Sequence, residues 1–216
     1  MVTDNLFQRI GARPMNLDDV EVLDRKTVCQ SYFRIDRYML KHRMFGGGWS
    51  APVMREVFER GHSCACLLYD AKADTVILIE QFRAGAFAAR IGPWLIECVA
   101  GIIDEGETPE DVARRESVEE CGCTVGRLEA IGEFLYSTGA CSEVCHLFVG
   151  EADSSGAGGV HGLADEHEDI KTHIVPVTTA IEWLDGHRID NAAMLIAISW
   201  LSRHHAALRQ RWLQPA

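Results

Sequence analysis

One helix constrains this chain more than any other feature, because both of its ends are written into the sequence. Thr108 suits the N-cap, Pro109 suits the first helical position, and Glu110 and Asp111 suit the positive end of the helix. Gly122 suits its exit. A 3.6-residue period over Pro109 to Cys121 then puts Glu116, Glu119 and Glu120 within an arc of about 100°. Ala113, Ser117 and Cys121 follow at i, i+4 spacing on the adjoining face, and their small side chains let the helix pack closely while the carboxylates line its edge. Like charges at this spacing cost roughly 0.2 to 0.5 kcal/mol per pair unless compensated. Magnesium or manganese, which favour oxygen ligands and keep several waters, would supply compensation. The helix alone leaves two readings open: a cation site or a solvated acidic face.

The rest of the chain supplies a mixed setting for that helix. From Val20 to Phe58 apolar and polar residues alternate, with Tyr32, Phe33, Ile35, Tyr38 and Leu40 interrupted by the Gly46-Gly47-Gly48 turn, which reads as a small antiparallel sheet. Strands are predicted over Cys64–Tyr69 and Thr75–Glu80, joined by the turn-forming Asp70 to Asp74, and over Trp94–Val99, Ala130–Phe134, Val144–Gly150 and His173–Val177. Helices are predicted over Thr178–Leu184 and Asn191–His204. No period of 20 to 50 residues repeats, and the only low-complexity patch is Ser154 to Gly159. At 216 residues, the chain reads as one mixed α/β domain with an N-terminal β appendage.

Charge narrows the partners. The net charge is -11, yet residues 1–57 hold nine Lys/Arg against seven Asp/Glu, so the acidity is concentrated C-terminally. Gly101 to Cys123 carries eight acidic and two basic residues, and Asp165 to Asp169 adds four acids. This balance argues against a nucleic-acid surface, which needs a basic stripe. The longest apolar stretch, Ala192 to Leu201, falls short of the ~20 residues a membrane helix needs and reads as a core helix. Asp4, Asp18, Asp19 and Glu21 occupy a segment where a secretory signal needs a basic start and an apolar run, so a cytoplasmic location is expected. The eight cysteines are expected to be free thiols, since spacings such as Cys64-x-Cys66 and Cys121-x-Cys123 are not zinc-ligand spacings. Cys141, Cys145 and His146 lack a fourth ligand and read as structural, and His161 and His167 as solvated loop residues.

The full segment around the helix is Gly101-Ile-Ile-Asp-Glu-Gly-Glu107-Thr-Pro-Glu-Asp-Val-Ala-Arg-Arg115-Glu116-Ser-Val-Glu119-Glu120-Cys-Gly122-Cys123. It resembles the Nudix box, Gly-x5-Glu-x7-Arg-Glu-U-x-Glu-Glu-x-Gly-U with U apolar. Every fixed Gly, Glu and Arg is present at its spacing, and Ser117 departs from a usually apolar position. Beyond the box, Arg55-Glu56-x-Phe58-Glu59-Arg60-Gly61, Glu80-Gln81-Phe82-Arg83, Trp94-Leu95-x-Glu97 and Gly162-Leu163-Ala164-Asp165-Glu166-x-Glu168-Asp169-Ile170 are similar to the bacterial ADP-ribose diphosphatases of that family.

The resemblance implies an α/β fold: an α/β/α sandwich with a mixed sheet over residues 58–216, and an N-terminal antiparallel β domain over residues 1–57. That small domain is expected to exchange across a homodimer and complete the partner's site. The implied activity is magnesium-dependent hydrolysis of ADP-ribose to AMP and ribose 5-phosphate, with manganese as a substitute. Alternatives are a diphosphatase for GDP-mannose or another nucleotide sugar, a nucleotide-sensing module, or an RNA-decapping role, the last disfavoured by the acidic balance.

Residue by residue, the resemblance assigns Glu116, Glu120, Glu168 and the backbone oxygen of Ala100 to the metal. Glu119 and Arg115 assist catalysis, Arg115 mainly by holding the loop-helix geometry with Glu107. Glu166 is the expected general base, because carboxylates committed to cations lose basicity and another must take the proton from water. Tyr32, Arg55, Glu56, Arg83, Glu97, Ser137, Gly139 and Glu143 are the expected substrate-binding residues. Thr138 stands where close relatives carry proline, which leaves that loop more freedom.

Overall fold

The computed structural model describes residues 15–214, and residues 1–14, Asp4 among them, and 215–216 lie outside the described residues. The chain divides into two compact units, residues 1–60 with 137–142 and residues 61–136 with 143–216.

In the first unit three antiparallel strands, β1 (Val20–Gln30), β2 (Arg34–His42) and β3 (Val53–Glu59), pair in that order. The alternation read over Val20 to Phe58 is this sheet. Asp36 organises it: Arg25 donates to its Oδ2 from Nε (3.0 Å) and Nη2 (2.6 Å), and Thr27 donates to its Oδ1 (2.8 Å). The Arg25 hydrogen bonds hold the Asp36 carboxyl below its ordinary range. Phe33 meets Phe58 edge-on at 4.9 Å. The turn Ser137–Ser142 attaches to β3, with Phe58 N–H donating to Ala140 C=O (2.7 Å) and Ser142 N–H to Phe58 C=O (3.3 Å).

The second unit is built on β4 (Ser63–Asp70), β5 (Thr75–Phe82), β6 (Trp94–Glu97), β7 (Val99–Ile102), β8 (Leu128–Leu135), β9 (Val144–Glu151), β10 (Gly159–His161) and β11 (Ile170–Pro176). Its sheet runs β10-β11-β5-β4-β9-β8, with β6 beside β5 and β7 beside β4. Only β4 and β9 pair in parallel, so the sheet is mixed. Four helices join it: α1 (Ala84–Ala88), α2 (Pro109–Cys121), α3 (Val177–Asp185) and α4 (Ala192–Trp212).

Strand periodicity explains why helices cover both faces. Along β4, Cys64, Cys66 and Leu68 pack with Val112, Ala113 and Cys121 of α2, while Ala65, Leu67 and Tyr69 pack with Ala180 of α3 and Ala197, Ile198 and Leu201 of α4. A strand buried on both faces reads as an unbroken apolar run, and all eight residues of β4 are buried. The result is an α/β/α sandwich with a mixed sheet, plus a small antiparallel N-terminal sheet. Among the described residues no helix is long and apolar enough to cross a membrane.

Two boundaries and one short helix differ most from the sequence reading. The strand expected over Trp94–Val99 is two strands, because the chain changes partner at Cys98, from β5 for β6 to β4 for β7. The last helix continues past His204 to Trp212, carried by burial of Leu208 and Trp212 on the core-facing stripe. The short helix α1 has no capping side chain and no apolar period to announce it.

Leu67 lies fully buried at the centre of the α3/α4 face. Leu67→Ala is expected to cost about 2–5 kcal/mol, since the surrounding sheet cannot collapse into the void. Urea unfolding should show a lower midpoint at an unchanged slope.

Candidate active site

The site assembles where α2 crosses the end of β7. Helix α2 starts as its sequence dictates: Thr108 and Asp111 form a reciprocal capping box, and Pro109 occupies the first turn. It ends at Gly122, whose φ of 67° is left-handed and whose N–H reaches back to the Ser117 and Val118 carbonyls. Ser117, the departure from the expected apolar pattern, is fully buried and donates its hydroxyl to the Ala113 carbonyl (2.6 Å), so its polarity is satisfied within the helix.

The three helix carboxylates occupy different depths. Glu120 is buried, and its oxygens accept from the Ala100 amide (2.9 Å) and Gln81 Nε2 (3.3 Å). Glu116 lies over Gly101 of β7: a Cβ added at Gly101 would stand 1.8 Å from Glu116 Oε1. Arg115 gathers the remainder. Its Nε and Nη2 donate to Glu107 (2.9 and 3.1 Å), and its Nη1 donates to Glu116 (2.8 Å) and Glu119 (2.9 Å).

Burial pushes Glu120 up to about 8 and Glu116 up to about 7, and the charge of Glu168 adds to both. Glu107 is held below its ordinary range by the Arg115 fork. The helix edge thus carries more negative charge than Arg115 alone relieves. Hard carboxylate oxygens of this kind suit a magnesium-type ion. Among the described residues, no three His, Cys, Asp or Glu side chains are gathered closely enough to hold one. Their oxygens are instead engaged by Arg115, Gln81 and the Ala100 amide.

The acidic loop after β10 is tied to this helix, with Gly162 N–H donating to the Glu119 carbonyl (3.2 Å). Glu168 accepts from the Leu163 amide (3.0 Å) and lies half-buried. Glu166 ends a 3-10 turn over Ala164–Glu166 and is exposed, with His167 after it in a left-handed conformation (φ 57°).

The residues expected to bind substrate fall in both units. In the second unit Arg83 Nε donates to Glu97 Oε2 (2.7 Å), and buried Glu143 accepts from Ser63 Oγ (2.7 Å). In the first unit Tyr32 is exposed and edge-on to Phe33 (4.7 Å), Arg55 donates to the Met54 carbonyl (2.8 Å), and Glu56 accepts from Arg37 (2.6 and 3.0 Å). The Ser137 carbonyl accepts from Ala140 (3.1 Å) and Cys141 (2.9 Å), which shapes the turn containing Gly139. Two participants were assigned no role from sequence. Gln81 is a buried amide near the end of β5, and Asn191, read only as a helix start, donates to Glu97 (2.6 Å).

This geometry meets an independent likeness: the NUDIX domain matches residues 59–198, and the chain belongs to the Nudix family. ADP-ribose pyrophosphatase of Escherichia coli K12 is 48% identical over 195 residues, covering 90% of this chain and 93% of its own. GDP-mannose pyrophosphatase of Escherichia coli O1:K1 / APEC is 35% identical over 153 residues, covering 70% of this chain and 78% of its own. A crystal structure titled as an ADP compounds hydrolase superposes with a TM-score of 0.63 at 20% identity, covering 88% of this chain and 98% of that one, which is a likeness of fold.

Gly101→Ala tests the close approach of Glu116. The new methyl collides with the end of a flexible side chain and not with backbone, so the unfolding free energy should stay within about 1 kcal/mol of the parent. Displacing that carboxylate should weaken manganese binding about 10- to 100-fold, measured by water-proton relaxation.

Proposed function

We propose that this chain hydrolyses the diphosphate of ADP-ribose, giving AMP and ribose 5-phosphate, with magnesium as the working metal and manganese as a substitute. The observation that carries the substrate is the 48% identity, across 90% of the chain, to a protein named ADP-ribose pyrophosphatase. The chemistry is supported by Glu116, which lies over Gly101, and by buried Glu120, bonded to the Ala100 amide.

In this reading Glu116, Glu120, Glu168 and the Ala100 carbonyl hold the metal. When bound, it neutralises diphosphate oxygens and acidifies water. The chain's own residues supply the rest. Arg115 fixes Glu107, Glu116 and Glu119 relative to one another and so holds the geometry of the loop and helix. Glu166, exposed on a turn whose following segment is tied back through Glu168, takes the proton from the attacking water as general base. Arg83, Glu97 and Glu143 of the second unit are assigned to substrate binding, and Tyr32, Arg55, Glu56, Ser137 and Gly139 of the first unit are assigned the same role. Thr138 loosens the loop between the last two, which widens the range of sugars accepted.

The small β domain is proposed to exchange across a homodimer. Its support is apolar surface: Val22, Tyr32 and Phe45 of the first unit are exposed, Phe45 almost fully. Eight free thiols support a reducing, cytoplasmic location.

Purified protein assayed with magnesium against ADP-ribose, GDP-mannose and ADP-glucose should turn over ADP-ribose fastest. A tenfold or greater preference for GDP-mannose overturns the assignment. Chelation with EDTA should abolish turnover and added magnesium should restore it.

Glu166→Gln should lower kcat by roughly 100-fold or more at nearly unchanged KM, the usual scale for loss of a general base. Glu168→Gln should instead raise the magnesium requirement. A near-parent kcat in Glu166→Gln would sink the assignment of the base.

A further inference from the structure

We infer that Asn191 is a positioning residue for Arg83, acting through Glu97, and that it sets substrate affinity through this chain of hydrogen bonds without touching substrate. The inference rests on the proposed role of Arg83 in substrate binding.

Arg83 follows the end of β5, anchored by its own N–H to the Pro93 carbonyl (2.7 Å). Its side chain is 42% exposed, whereas that of Glu97 is only 7% exposed. A carboxylate buried at the end of β6 is costly unless its oxygens are engaged. Both are: Oε2 accepts from Arg83 Nε (2.7 Å), and Oε1 accepts from Asn191 Nδ2 (2.6 Å).

The Asn191 amide is divided between two duties. Its oxygen accepts from the Met194 amide (3.0 Å) and caps α4, so its nitrogen is the end that must face Glu97. Helix α4 is in turn fixed in the core by Ala193, Met194 and Ala197. Rigidity therefore runs from the buried helix through Asn191 and Glu97 to a partly exposed arginine. An arginine without this fork samples many rotamers and loses more freedom when it binds. Only one guanidinium edge is used by Glu97, through Nε, which leaves the remaining donors for an anionic ligand.

Asn191→Ser separates the two duties, because serine caps a helix as well as asparagine but carries no amide to donate to Glu97. Two readouts on the intact protein follow from it. Exchange of the Arg83 Nε–H, followed by 15N NMR, should quicken by about tenfold or more while the melting temperature stays within about 3 °C of the parent. The KM for ADP-ribose should rise roughly three- to tenfold with kcat within about twofold, and combining the change with Arg83→Ala should add nothing to the KM rise of Arg83→Ala alone.

Unchanged Arg83 Nε–H exchange in Asn191→Ser overturns the positioning chain, as does a KM effect that adds to that of Arg83→Ala. Quickened exchange with a parent-like KM in both Asn191→Ser and Arg83→Ala leaves the hydrogen-bond chain standing and overturns the substrate-binding role of Arg83, and with it the effect on affinity.

Discussion

Everything at the site depends on holding Glu116, Glu119 and Glu120 of one helix against a sheet, although their like charges repel one another. Three devices make this tolerable. Arg115 spreads one guanidinium over Glu107, Glu116 and Glu119, the Ala100 amide and Gln81 engage Glu120, and Gly101 removes the side chain that would keep Glu116 away from the strand. None of these neutralises the whole edge. Burial still raises the proton affinity of Glu116 and Glu120 toward neutrality.

That arrangement also explains the packing behind it. A helix can present an acidic edge only if its opposite face anchors it, and α2 does so with Val112, Ala113 and Cys121 against the Cys64, Cys66 and Leu68 face of β4. Small residues bring the helix axis close to the sheet, and close approach is what lets Glu116 reach the backbone over Gly101. Ser117 fits this face because its hydroxyl turns back to the Ala113 carbonyl and presents little more than a small apolar surface to the sheet.

The sequence made the helix legible because its signals are local. A cap, a proline, a terminal glycine and a 3.6-residue period all lie within one segment, and all four agree. The fold class was legible from strand alternation and from the family resemblance together. Features decided by distant partners were not. The break at Cys98 reflects which neighbouring strand each half of the segment meets, and the length of α4 reflects a core that receives Leu208 and Trp212. Gln81 and Asn191 are silent for the same reason: an amide in a strand and an asparagine at a helix start acquire meaning only from the carboxylates that fold against them.

The two carboxylates met by those amides are treated oppositely. Glu120 accepts only from neutral donors, a backbone N–H and a glutamine, and burial raises its proton affinity. Glu97 accepts from a cation as well as an amide, and Asn191 and Arg83 between them engage both of its oxygens. Neutral donors orient a carboxylate while leaving it electrostatically hungry, whereas an arginine satisfies it. The fold thus separates a buried carboxylate held by neutral donors from one that engages a cationic side chain. The distinction lies in the donors and not in the glutamates themselves, which is why residue type alone would have grouped Glu97 with Glu120.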